Sequence, residues 1–155
     1  MARLSDLPEW DRKRHLDRIR ALPDFGPTPF VPGPPLAERR VAIVTTAGIH
    51  RRGARPFEVG SADYRVIPTD TPPGALVMSH ISVNFDRTGF QEDLNVAFPL
   101  DRLRELHEDG VVGSLSRFHY SFMGASPIQA FEPRARELAG QMKEDGVDAV
   151  LLVPV

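Results

Sequence analysis

The segment Val147–Val155, VDAVLLVPV, is an almost uninterrupted apolar run rich in valine, entered through the turn Lys143-Glu144-Asp145-Gly146. A run that does not alternate apolar and polar residues predicts a strand buried on both faces, as strands of parallel sheets are, and such strands are normally central. VAIVTT, over Val41–Thr46, carries the same signature. YRVIP (Tyr64–Pro68), ALVMS (Ala75–Ser79) and VVGSLSRF (Val111–Phe118) read as three further strands. Helical patterns lie between them. Pro99 suits the first turn of a helix whose Leu100, Leu103 and Leu106 line one face and which stops at Gly110. Ser126 and Gln129 are spaced as a capping box around Pro127, and Ile128, Phe131, Ala135, Leu138 and Met142 recur at helical spacing, with Pro133 expected to kink or split that helix. Helices between strands are crossover connections. The pattern therefore predicts an α/β fold, a mostly parallel sheet flanked by helices, with its chemistry at the C-terminal ends of the strands.

Two segments precede that domain. Residues 1–22 predict a helix from about Leu7 to Arg20, with Asp6 and Glu9 spaced like a capping box and Leu7, Trp10, Leu16 and Ile19 as an imperfect apolar stripe for the domain or a partner. Residues 23–38 form a proline-rich connector, PDFGPTPFVPGPP, whose prolines fix φ and remove donors. Phe25, Phe30 and Val31 are expected to pin it to the domain surface, a proline-motif ligand for another protein being the other reading. The α/β domain is assigned to residues 39–155.

Charge and composition exclude several classes. A formal net charge of -2 argues against general affinity for nucleic acid or an anionic membrane. No apolar run approaches the roughly 20 residues of a membrane span, and MARLSDLPEWDRKRHLDRIR is too charged for a secretory signal, so a cytoplasmic protein is expected. The chain contains no cysteine, which excludes disulfides, thiolate metal sites and a cysteine nucleophile within it.

Three of the five histidines fall where strands deliver loops. His50 follows the first strand in TTAGIH, His80 ends the third in MSH, and His119 ends the fourth in RFHY. The expectation is that they converge on one sheet edge, against the ordinary alternative of separate hydrogen-bonded histidines, which is the reading for His15 and His107 on charged helices. Thr45, Thr46 and Gly48 make a small-residue turn where backbone N–H groups can approach a carboxylate or phosphate, although TTAG matches neither the dinucleotide fingerprint nor the P-loop. His80, Asp86 and Asp93 share SHISVNFDRTGFQEDLN, read as a long irregular loop anchored by Phe85, Phe90 and Leu94. Asp86, Asp93 and Asn95 serve either catalysis or loop hydrogen bonding. No metal is assigned, because these groups lack a tight ligand spacing such as HExxH.

The blocks VAIVTTAGIH, YRVIPTDTP, SHISVNFDRTGFQEDLNVAFPLDRLREL, RFHYSFMG and GVDAVLLVPV, in this order and spacing, resemble the selenoprotein B subunits of glycine, sarcosine, betaine and D-proline reductases. The resemblance covers about Val41 to Val155 and leaves out the N-terminal helix and proline segment. It implies an oxidoreductase subunit in which a selenocysteine or cysteine follows the final strand almost at once, with further α/β structure beyond. A reading frame interrupted at a UGA codon would give a cysteine-free chain ending at Val155, inactive alone. The implied chemistry is reductive cleavage of an activated C–N bond of a small amine or amino acid, with a dithiol donor, other reductase subunits as partners and an oligomeric assembly. By position, His50, His80 and His119 would donate protons to the leaving amine or hold the selenol or thiol anion, and Thr45, Thr46 and Gly48 would bind the substrate carboxylate, with Asp86 and Asp93 as further substrate-binding residues. A binding or scaffold subunit, and a metal-dependent hydrolase or lyase using His50, His80, His119 and Asp86, stay open as alternatives.

Overall fold

The computed structural model describes residues 3–24, 26–27, 31–82 and 87–155. They divide into two compact units, Met1–Val31 and Pro32–Val155. The first holds a 3-10 turn at Leu4–Asp6 and helix α1, Glu9–Arg20. Asp6 does not cap α1. It accepts the backbone N–H of Arg3 and closes the preceding turn, and Pro8 takes the N-cap place without a side-chain bond. Trp10 and Ile19 of the predicted stripe are exposed. Of the residues expected to pin the connector, Val31 is exposed, while Phe25 and Phe30 lie outside the described residues.

The second unit is built on strands β1 (Arg40–Thr45), β5 (Ser114–Leu115), β6 (Phe118–Ser121) and β7 (Ala149–Val153). β1 pairs in parallel with all three: β5 and β6 continue one another along one of its edges, and β7 lies along the other. β3 (Arg65–Pro68) adds to β6 antiparallel. Alternation across β1 divides the core. Val41 and Ile43 face a cluster with Ile67, Phe98, Leu100 and Leu103, whereas Ala42 faces Tyr120, Phe122, Leu138 and Met142. Helix α3 (Leu100–Glu108) contributes to the first layer, and helix α4 (Ile128–Glu144) covers the second. Each large apolar side chain taken out of water this way contributes about 1.5–3 kcal/mol.

Several local expectations are corrected here. The fourth strand is split and displaced, since Ser116 and Arg117 turn aside to bond Asp145, and His119 lies inside β6 rather than at its end. A strand at Ile49–Arg51, β2, went unread; it pairs antiparallel with β4 (Leu76–Met78) in a separate two-stranded ribbon. Ser126 donates to the Ser61 carbonyl rather than capping, and α4 runs through Pro133 unbroken. The loop after His80 contains helix α2 (Thr88–Glu92) and a 3-10 turn at Leu94–Val96, with Phe90 and Leu94 packed on the core. Phe85 lies outside the described residues.

The closing strand is also not central. Among the described residues β7 pairs only with β1, and Val150, Leu151 and Leu152 are exposed, Leu152 by 69%. The second half of the proline connector packs on the domain, where Gly113 donates to the Leu36 carbonyl and Arg39 to that of Pro34.

Candidate functional site

Because β1, β6 and β7 are parallel, their C-terminal ends share one edge of the sheet, the edge at which the sequence places a site. His119 is fully enclosed. Its Nδ1 accepts the Ile43 N–H at 2.9 Å, which leaves the proton on Nε2, 3.2 Å from the Thr69 hydroxyl. That hydroxyl in turn donates to the Ser116 carbonyl. Phe98 stands edge-on to the ring. Burial, then the nearby Arg104 charge, pushes the His119 pKa down to about 4. In this structure both ring nitrogens are engaged inside the core.

His50 and His80 belong to the β2–β4 ribbon. His50 lies within β2 opposite Val77, its Nδ1–H donating to the Arg51 carbonyl at 2.9 Å and its ring edge-on to Phe57. His80 follows β4 and is buried; its Nδ1 accepts the Ser82 N–H at 3.1 Å. Burial and the Arg87 charge hold its pKa below the ordinary imidazole value. Arg87 donates to the carbonyls of His80 and Ser82 at 2.7 and 2.5 Å, a contact that sequence reading did not single out. The three imidazoles are thus held by three separate sets of partners. Among the described residues, no three His, Asp or Glu side chains are grouped to hold a metal ion.

Gly48 is where β1, β6 and the ribbon meet. Its φ of +67° favours glycine, and a Cβ there would lie 3.0 Å from the His80 backbone nitrogen. The expected donor row of the TTAG turn is spent within the protein. The N–H groups of Thr46, Ala47, Gly48 and Ile49 donate to Val153 O, Thr45 Oγ1, Phe122 O and Ser121 Oγ. Thr45 is completely buried, and the turn offers no open nest for a carboxylate. Thr46 Oγ1 instead accepts the Val155 N–H at 2.8 Å. Asp93 caps the Leu94–Val96 turn through the Asn95 backbone and side-chain N–H groups, which hold its carboxyl below the usual range. Asp86 lies outside the described residues. Beside α2, an open cleft of about 540 Å³ is lined by Leu76, Met78, Arg87, Phe90, Glu92 and Leu94.

Residues 27–155 match the glycine/sarcosine/betaine reductase selenoprotein B family, GRDB. The chain belongs to this family. The match reaches back into the proline segment, further than the blocks first read as similar. Among curated relatives, the D-proline reductase subunit gamma of Acetoanaerobium sticklandii is 37% identical over 120 residues, covering 76% of this chain and 49% of that protein. The betaine reductase complex component B subunit beta of Peptoclostridium acidaminophilum is 32% identical over 124 residues, covering 76% of this chain and 28% of that protein. The glycine reductase complex component B subunit gamma of the same organism is 29% identical over 125 residues. The chain therefore spans about half, or less, of the relatives it matches. No solved structure matches it. Among the described residues, no helix is long and apolar enough to cross a membrane.

Proposed function

We propose that this chain is the N-terminal part of a reductase subunit that cleaves a C–N bond of glycine, sarcosine, betaine, D-proline or a similar amine with a selenol or thiol nucleophile. The observation that carries the reading is the family match over residues 27–155, with relatives named as subunits of reductases for this substrate class. The nucleophile is a selenocysteine or cysteine a short way beyond Val155, at the sheet edge where β1, β6 and β7 end. The cysteine-free 155-residue chain has no soft anion of its own and is inactive alone. A dithiol supplies the electrons and other reductase subunits are the partners.

His50 and His80 serve the reaction, and His119 serves the core between β6 and β1. A histidine kept neutral by burial is suited to hydrogen-bond an anion or take up a proton, so the neutral form of His80 is the working one. The cleft beside α2 carries both a guanidinium, Arg87, and a carboxylate, Glu92, which suits a zwitterionic substrate. A metal-dependent reaction gains no support from the described geometry.

The test begins with the gene. An in-frame UGA after the Val155 codon, followed by a cysteine-containing continuation, is expected. The extended protein, with its partner subunits, should reduce at least one of the four substrates with a dithiol, and the 155-residue chain should reduce none. Turnover by the short chain overturns the missing-nucleophile reading, and an immediate non-UGA stop overturns it in favour of a scaffold subunit.

A further inference from the structure

Thr46 commits every polar group it has to the ends of three strands. Its N–H donates to the Val153 carbonyl at 3.1 Å, and its carbonyl accepts the Gly124 N–H at 2.8 Å. Its hydroxyl oxygen accepts the Val155 N–H at 2.8 Å and donates to the Val155 carbonyl at 3.2 Å. β1, the segment leaving β6 and the segment leaving β7 are thereby joined through one residue. Gly124 completes the arrangement from the other side. A Cβ there would lie 2.8 Å from the Val155 carbonyl oxygen, closer than that contact allows, and a tight 3.1 Å from Thr46 Oγ1.

We infer that Thr46 is a positioning residue: its hydroxyl fixes the main chain at Val155, and with the room left by Gly124 it sets the direction in which the next residue leaves the sheet. The inference rests on the reading above, in which the nucleophile follows Val155. It replaces the expectation that Thr46 binds a substrate carboxylate. One hydroxyl making two bonds to one residue restricts that residue far more than a single bond does, and a nucleophile misplaced by about 1 Å loses on the order of 10²-fold in rate. A strand end needs no such side-chain clasp merely to finish its ladder, since backbone pairing of β1 with β7 is already complete at Thr45 and Val153.

The absence of cysteine makes a clean test, because one cysteine appended directly after Val155, followed by a short Gly-Ser tail, is then the sole thiol. Its alkylation by iodoacetamide is followed against pH in the parent, Thr46→Val, Thr46→Ser and Gly124→Ala, with thermal unfolding measured on each. The parent should show an alkylation profile that departs from that of a free thiol, whose pKa is about 8.5. Thr46→Val should return to the free value and change the rate at pH 7 about threefold or more, and Thr46→Ser should restore the parent profile. If Thr46→Val does not fold, Gly124→Ala carries the test, since its Cβ displaces the same carbonyl and should shift the profile likewise. A parent profile equal to that of a free thiol, or one unmoved in Thr46→Val and Gly124→Ala, overturns the inference. Reductase activity is not needed for this readout: a positioned thiol in an inactive extended subunit removes only the proposed function, and an unpositioned thiol in an active one removes only the role of Thr46.

Discussion

His119 accepts the backbone N–H of Ile43, so a titratable side chain stands in for a carbonyl between β6 and the centre of β1. The bond requires an unprotonated Nδ1. With a folded-state pKa of about 4 and an unfolded value of about 6.5, the unfolded chain binds more protons throughout that interval. Stability is therefore fully present above the unfolded value and is lost as pH falls through 6.5 towards 4, by about 2 kcal/mol at pH 5. Urea unfolding from pH 7.5 to 4.5 should show this slope, and His119→Gln should lose most of it, the remainder belonging to His80. A flat profile in the parent would mean that the imidazole can charge in place.

Asp145 should govern a lower pH window. Its carboxylate accepts from the Arg117 side chain at 2.6 Å, the Ser116 hydroxyl at 2.8 Å, the Arg117 N–H at 2.9 Å and Arg40 at 3.0 Å. Burial alone would raise its pKa, but these donors more than offset it and hold the group well below the usual carboxylate range. A depressed carboxyl stabilises the fold above its unfolded value of about 3.9 and loses that contribution as pH falls further. Asp145→Ala, which strips these donors of their common acceptor, should cost about 2 kcal/mol or more at pH 7. A loss under about 0.5 kcal/mol, in the range of ordinary surface substitutions, would contradict this role.

The edge of β7 that no strand among the described residues covers should make the 155-residue chain self-associate. An apolar strand with one unpaired edge is a template for pairing. Sedimentation velocity across a concentration series should show reversible growth, and Leu152→Lys should suppress it without lowering thermal stability. A monomer at millimolar concentration would show that the edge is protected.

Activity in the extended protein should separate the histidines. His80→Ala should lower turnover by about 10²-fold or more if the ring moves a proton or holds the anion. The acid limb of the parent rate profile should lie below the ordinary histidine value of about 6.5, in keeping with the direction of its shift. An acid role for the charged ring would instead confine activity to that acid side. His119→Gln should act mainly through stability, with near-parent turnover where it remains folded. Full activity of His80→Ala would return His80 to a hydrogen-bonded loop residue.

Local chemistry was enough to read the elements. β-branched runs announced β1, β3, β4 and β7, leucine spacing announced α3, and alternating strands and helices announced a mostly parallel α/β sheet, because these signals act between residues close in the chain. The family was legible too, in ordered blocks. What the tertiary structure decided were matters of partnership. VDAVLLVPV reads as central, yet its place is set by which strands pair with it, and among the described residues only β1 does. His50, His80 and His119 all sit near strand ends in the sequence, yet His119 became a core acceptor because β6 faces Ile43. Thr46 looked like one residue of a donor turn until β7 arrived beside it and Val155 took its hydroxyl. Hydrogen-bond capacity is written in each residue, but which partner consumes it depends on chain segments up to 109 positions away.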